Sequence, residues 1–180
     1  MHRRIAPLAA LVLLVVLAAA PSWASRSSEE PNAPACTIVG TDGDDSLRGT
    51  PGDDVICALA GDDYVNGRAG NDTILLGKGL DGFTGGRGND VIRAGAGADT
   101  GFGGPGDDEI FMQGGSDHIV SDAEGRDAIY GGSGDDHCLS VYDGKGGDTI
   151  DGGEGYDIYG GDPGDTVIAA EEGPYHCEGG

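Results

Sequence analysis

The sequence is poor in positive charge: 10 Lys and Arg residues stand against 32 Asp and Glu, a formal net charge of −22. A chain this acidic repels phosphate backbones and anionic lipid surfaces, which argues against nucleic acid and acidic membranes as partners. The acidic side chains also repel one another. The chain is therefore either disordered or neutralised by a cation that it binds.

Common catalytic motifs are missing as well. The chain contains no GxSxG elbow, HExxH helix or Walker sequence. Residues 77–82 match GxGxxG by letter, but no crossover helix is expected after them. Acid pairs such as Asp107-Asp108 are interpreted as turn residues, with the first of each pair solvated. Nor do the 37 glycines form the Gly-X-Y triplets of collagen, so they indicate turns at a fixed interval. We therefore expect no enzyme.

Long apolar runs occur only at the N-terminus. Arg3 and Arg4 precede an apolar segment at 8–20, and a small-x-small cleavage sequence ends at Ala24. The segment is short for a membrane span, which needs about 20 residues. We predict a signal peptide at 1–24 and a secreted, extracellular protein with no membrane span after cleavage. An uncleaved anchor is the alternative.

A nonapeptide repeat fills most of the remaining chain. Nine consecutive units cover 40–120 without a change of register, and five more follow, with interruptions at Ser121 and at 140–142. Position six is Asp in all fourteen units, and position four is Gly in all but one, where Pro163 stands. Position eight is apolar or aromatic in thirteen of the fourteen units, and the exception is Gly101. A period kept over this length indicates a stacked repeat fold.

Each unit divides into a turn and a short strand. Glycine at positions one, two and four permits a turn with positive φ, and the last three residues alternate in direction, with position eight inward. Two units make a coil of 18 residues, and coils stack as parallel strands about 4.8 Å apart. The pattern predicts an all-β fold: a right-handed parallel β-roll at 36–168, after a disordered leader at 25–35 and before a C-terminal tail at 169–180.

The aspartate column requires a cation. Position-six carboxylates recur once per coil along each edge of the roll, where they would repel each other if unpaired. Ca²⁺ accepts six to eight oxygens at about 2.3–2.6 Å, and glycine turns expose carbonyls beside the carboxylates. Zinc and copper prefer nitrogen and sulfur. We predict several bound Ca²⁺ ions, with these metal-binding residues: Asp45, Asp54, Asp63, Asp72, Asp81, Asp90, Asp99, Asp108, Asp117, Asp127, Asp136, Asp148, Asp157 and Asp165.

Three units carry a family resemblance most clearly. GGRGNDVIR (85–93), GGPGDDEIF (103–111) and GGSGDDHCL (131–139) resemble the GGxGxDxUx repeat of the RTX, or haemolysin-type calcium-binding, proteins. The resemblance covers 40–168 and implies a parallel β-roll with Ca²⁺ held in the turns. Such repeats often accompany a toxin, protease or lipase module, for which this chain has no room. Relatives exported by the type I route usually lack an N-terminal signal, whereas this chain has one, so the resemblance implies a small Sec-exported member. We also expect folding coupled to Ca²⁺.

Four cysteines follow the predicted cleavage site, and an even count in an exported chain indicates two disulfides with three possible pairings. Cys36 precedes Cys57 by 21 residues, one coil plus three, which favours a staple across the first coil. Cys138 and Cys177 would then tie the tail to the roll. Cys138 stands at position eight and is expected to point inward. Free thiols are the alternative.

Several interpretations stay open. The protein is either a calcium binder in its own right, a Ca²⁺-rigidified structural or adhesive surface scaffold, or an accessory module of a secreted hydrolase or toxin system. A disordered calcium buffer is disfavoured, because it needs no regular apolar column. His118 and His137, both at position seven, either stack on an outer face and bind a transition metal or are simply solvated. No protein partner is indicated.

Overall fold

The computed structural model describes residues 35–122 and 124–168, which belong to one compact unit. Within them there are fifteen β-strands and no helix, hence none long and apolar enough to cross a membrane. The predicted signal peptide at 1–24, the leader as far as residue 34 and the tail at 169–180 lie outside the described residues.

The strands recur about every nine residues, one for each repeat unit and one before the first. They are β1 (Ile38–Val39), β2 (Ser46–Arg48), β3 (Val55–Ala60), β4 (Tyr64–Ala69), β5 (Thr73–Lys78), β6 (Gly82–Arg87), β7 (Val91–Ala96), β8 (Thr100–Phe102), β9 (Glu109–Gly114), β10 (His118–Asp122), β11 (Ala128–Ser133), β12 (His137–Val141), β13 (Thr149–Glu154), β14 (Ile158–Gly160) and β15 (Thr166–Ile168).

The strands form two parallel sheets. The odd-numbered strands make an eight-stranded sheet in the order β1-β3-β5-β7-β9-β11-β13-β15, and the even-numbered strands make a seven-stranded sheet from β2 to β14. Each strand therefore pairs with the strand one coil away, as in the pairing of Ile74 with Ile92. This arrangement confirms the predicted parallel β-roll, because the chain crosses from one sheet to the other at every turn.

The apolar core lies between the sheets and contains two kinds of position. The predicted position-eight column is buried throughout the middle of the roll: Ile56, Val65, Ile74, Phe83, Ile92, Ile110, Ile129 and Ile150. Position one adds a second buried column on the eight-stranded sheet: Ala58, Leu76, Ala94 and Met112. The sequence reasoning missed this column because most strands have six residues rather than three. Their alternation therefore continues into the next unit.

Gly101, the exception in the position-eight column, faces the ring of Phe83 on the neighbouring strand. A Cβ at Gly101 would lie 2.5 Å from Phe83 Cγ, and the phenyl side chain is 1% exposed. The large ring therefore occupies the space that the missing side chain leaves. This small-for-large exchange keeps the core filled, as close packing requires.

The repeat that contains Cys138 departs from the expected register. Cys138 has a φ of 62°, and the pairing of β12 with β14 shifts between His137 and Leu139. An extra residue of this kind reverses the alternation that follows it. Leu139 is consequently fully buried, whereas Cys138 is only partly buried. The prediction that Cys138 supplies the inward side chain is therefore wrong.

One predicted disulfide is present. Cys36 and Cys57 are bonded, with Cα atoms 5.9 Å apart, and the bond joins the segment before β1 to β3. Cys138 carries a free thiol with respect to the described residues. Its predicted partner, Cys177, lies outside them, so the second pairing stays a prediction.

Replacing Phe83 by Ala tests the role of the ring in the core. We expect a loss of about 3–5 kcal/mol in the free energy of unfolding, the usual result of deleting a buried phenyl group. Phe102→Ala is the matched control, because Phe102 lies on the next strand and is 50% exposed. Denaturant unfolding at saturating Ca²⁺ measures both variants, and equal losses would contradict the packing described.

Candidate calcium-binding edges

The position-six aspartates line the two edges of the roll. Each lies directly before a strand: those before the seven-stranded sheet form the first edge, and those before the eight-stranded sheet form the second edge. The first edge contains Asp45, Asp63, Asp81, Asp99, Asp117, Asp136 and Asp157, and the second contains Asp54, Asp72, Asp90, Asp108, Asp127, Asp148 and Asp165. Only Asp45 and Asp165, in the terminal units, are not fully buried.

In twelve of the fourteen residues, one carboxylate oxygen accepts a hydrogen bond from a backbone N–H of the adjacent coil. The backbone N–H of Asp63 donates to Asp81 Oδ1 at 2.8 Å, and that of Asp81 donates to Asp99 Oδ1 at 2.9 Å. The same bond recurs on the second edge, where the N–H of Asp72 donates to Asp90 Oδ1 at 2.7 Å. Each edge is thus a ladder of backbone-to-carboxylate bonds that orients successive side chains alike.

In nine of these residues the second carboxylate oxygen, Oδ2, is buried and accepts no hydrogen bond from the part of the chain that the structure describes. They are Asp63, Asp72, Asp81, Asp90, Asp99, Asp117, Asp127, Asp136 and Asp157. A buried anionic oxygen without a partner is strongly unfavourable, and such atoms are rare in folded proteins. Their repetition at one atom of one repeat position indicates a site for a cation.

Backbone carbonyls converge on the same places. A Cβ added to Gly85, at position one, would meet Asp90 Oδ2 at 2.5 Å and the carbonyl oxygen of Gly103 at 2.6 Å. Gly67 and Gly131 each have the same kinds of neighbour, one aspartate Oδ2 and one glycine carbonyl oxygen of the next coil. Glycine at position one therefore keeps open a space that is bordered by both types of oxygen, and this donor set suits Ca²⁺.

Side chains alone do not complete a metal site. Among the described residues, no group of three or more His, Cys, Asp or Glu side chains is placed to hold an ion. The ligands beyond one or two carboxylates must come from main-chain carbonyls or water, which Ca²⁺ accepts readily. An all-oxygen set of this kind fits calcium better than zinc or copper.

The ends of the edges differ from the middle. In the first two units Thr replaces Gly at position two, and the N–H of Thr41 donates to Asp45 Oδ2 at 2.6 Å, as that of Thr50 does to Asp54 Oδ2. In the last unit the N–H of Asp162 donates to Asp165 Oδ2 at 2.6 Å. These three predicted ligands thus already have a local partner for Oδ2, unlike the nine residues of the middle.

Position five forms a further ladder that the sequence reasoning assigned to solvent. Asp44 Oδ1 accepts from the N–H of Asp62 at 3.0 Å, and Asp62 Oδ1 accepts from the N–H of Leu80 at 2.9 Å. The side chains are exposed, but they clamp each turn to the next. Position five is often Asp or Asn, as at Asn71 and Asn89. This preference for a side-chain oxygen acceptor could have predicted the ladder from the sequence.

Burial without a cation changes the protonation of the edges. Desolvation raises the pKa of Asp90, Asp117 and Asp127 to about 7 and that of Asp99 to about 6. The backbone N–H bond to each carboxylate lowers the pKa, but only in part, and neighbouring aspartates raise it further. Without a bound cation, burial therefore favours the protonated form of these four aspartates.

The fold and the oxygen-lined edges define the chain as a calcium-binding parallel β-roll. The family model of the RTX calcium-binding nonapeptide repeat matches in four copies, at residues 39–74, 58–82, 77–110 and 113–139, which together cover more than half of the 180 residues. The chain belongs to this family. A search of curated proteins and a search of solved structures each returned no match.

The raised pKa values predict how pH acts on the metal-free protein. The folded state binds protons that the unfolded chain, with ordinary Asp pKa values, does not, so this contribution to stability is complete below about pH 4 and disappears as pH rises through about 6–7. We expect the folded fraction of the chelated protein, measured by far-UV circular dichroism, to be largest at acidic pH and to fall over that interval. The double variant D99N/D117N should flatten the profile. A β signal of the chelated protein that increases as pH rises would contradict the protonation of the edges.

Adjacent acids provide a matched pair of variants. We expect Asp63→Asn to remove one or two bound Ca²⁺ ions, because Asp63 Oδ2 is one of the unpartnered oxygens. Asp62→Asn makes the same change in charge but keeps the acceptor of the position-five ladder, and we expect it to bind the wild-type number of ions. Isothermal titration calorimetry measures both. Equal losses would show that net charge, rather than position six, determines binding.

Proposed function

We propose that the mature protein acts outside the cell and completes its folding when Ca²⁺ binds between successive coils. The observation that carries this proposal is the row of buried, unpartnered Oδ2 atoms on both edges. One divalent ion between neighbouring coils supplies a partner to each such oxygen. It also replaces repulsion between stacked carboxylates by attraction to a shared cation.

The position-six residues with an unpartnered Oδ2 are the proposed ligands, together with position-one carbonyls such as that of Gly103. The stretch from Asp63 to Asp157 contains all of these oxygens. Asp45, Asp54 and Asp165 are weaker candidates, because binding there requires the exchange of an existing hydrogen bond for a metal bond. Occupancy is therefore expected first in the middle of the roll.

Linkage between binding and folding sets how much each bound Ca²⁺ adds to the free energy of unfolding. A site that binds only in the folded state contributes about 2.7 kcal/mol when free Ca²⁺ is 100 times its dissociation constant. Extracellular calcium modules commonly have dissociation constants of about 10⁻⁴–10⁻³ M. Several sites of this kind, each filled even in part, are enough to shift a marginal domain from unfolded to folded.

Three features support secretion: a disulfide, the need for Ca²⁺ and an apolar N-terminal segment. The disulfide between Cys36 and Cys57 is typical of oxidising compartments, and free Ca²⁺ is abundant outside the cell. The apolar segment at 8–20 with its charged start has the form of an export signal. We propose a non-catalytic role, since the proposed ligand geometry serves binding and assembly of the fold.

A calcium-rigidified surface scaffold is the second candidate. On the outer face of the eight-stranded sheet, the guanidinium of Arg93 lies 4.5 Å from the ring centre of Phe111, and the ring of Phe111 stacks on Tyr130 at 4.9 Å. This ladder is independent of the calcium edges and stiffens three adjacent strands. It favours a roll that displays a rigid outer surface once Ca²⁺ is bound.

Far-UV circular dichroism of the mature chain, with its disulfides intact, tests the calcium proposal. We expect a steep gain of β signal on addition of Ca²⁺, reversal by chelator and no comparable gain with Mg²⁺, which dehydrates reluctantly and requires a tighter octahedron. A β spectrum unaffected by chelator would refute coupled folding and favour the scaffold. A coil spectrum at several millimolar Ca²⁺ would refute both.

A further inference from the structure

Two histidines lie side by side on the outer face of the seven-stranded sheet. His118 of β10 and His137 of β12 are direct partners in the parallel register, although 19 residues rather than 18 separate them. Their ring centroids are 6.2 Å apart, the ring planes differ by 26°, and both side chains are exposed. The residue inserted between the two repeats is therefore absorbed without disturbing the pair.

We propose that this histidine pair binds a divalent transition-metal ion, with Zn²⁺ as the representative, through one nitrogen of each ring. Zinc–nitrogen bonds are about 2.0–2.1 Å long, and two imidazoles on one tetrahedral ion have centroids about 5 Å apart. The observed 6.2 Å is close to that value. Exposed rings close the difference by small rotations about their side-chain bonds, for which no neighbouring core must move.

The ligand chemistry separates this site from the calcium edges. Imidazole suits zinc, copper and nickel, whereas the edges offer oxygen alone, which suits calcium. The net charge of −22 also concentrates cations near the surface. Both kinds of ion are therefore accommodated at once, on different atoms of the same coils.

The edge beside the pair holds the two strands at a constant spacing. Asp117 and Asp136 immediately precede the histidines, and the N–H of Asp117 donates to Asp136 Oδ1 at 2.9 Å. Within the described residues no third His, Cys, Asp or Glu joins the pair as a ligand. The remaining coordination positions are open to water or to a donor from another molecule, so the site is weaker than a four-ligand structural zinc site.

A Zn²⁺ titration of the Ca²⁺-saturated mature protein tests this inference separately from the calcium proposal. Side-chain ¹H–¹⁵N spectra report the histidine nitrogens, and calorimetry reports affinity. We expect the signals of His118 and His137 to shift together and saturate at one Zn²⁺ per chain. His118→Gln and His137→Gln should each weaken binding by on the order of tenfold, because the second ring no longer adds its effective concentration.

His176→Gln is the matched control, because it removes a histidine outside the pair. It should leave Zn²⁺ affinity unchanged, and circular dichroism in Ca²⁺ should show that all three variants keep the β-roll. The inference is overturned if either pair variant binds Zn²⁺ as wild type does. It is also overturned if Zn²⁺ shifts His176 as much as the pair, or binds only by displacing Ca²⁺.

Discussion

The repulsion between carboxylates stacked at the spacing of parallel strands is the constraint on which this structure depends. Each coil places its position-six aspartates next to those of the coils above and below, inside the protein rather than in solvent. The backbone N–H groups stabilise one oxygen of these carboxylates but, in nine of them, leave the other oxygen without a partner. Protons or a divalent cation must therefore neutralise these buried oxygens, because the part of the chain that the structure describes provides no partner for them.

Glycine makes that arrangement possible at the level of the backbone. At position one, as in Gly85, a side chain would fill the space between carboxylate and carbonyl. At position two, as in Gly86, the backbone has a φ of 123°, and a Cβ would meet the carbonyl group of Arg68. The closely stacked turns and the oxygen-lined edges are therefore consequences of the same residues, which explains why a calcium-binding repeat is rich in both Gly and Asp.

The period of nine was sufficient to predict the parallel roll, the position-eight core and the Asp columns. The period did not predict how side chains of one coil pack against those of the next, or where the register between coils changes. Gly101 is the exception in the position-eight column, and its spacing gives no sign that Phe83, on the adjacent strand, fills the space that it leaves. The expectation for Cys138 assumed regular alternation, whereas the backbone changes register there and buries Leu139. The pattern within one repeat indicates neither the packing of Phe83 against Gly101 nor the change of register at Cys138.

The sequence by itself determined the repeat, the family, the acidic excess and the inward position-eight column apart from Cys138, because these follow from spacing and composition. The tertiary structure decided which carboxylate oxygens lack a partner, and which of the fourteen aspartates have Oδ2 already engaged. It also decided that His118 and His137 lie opposite each other. The physical reason is that these features depend on contacts between coils, where insertions and bulges alter the register that sequence spacing implies.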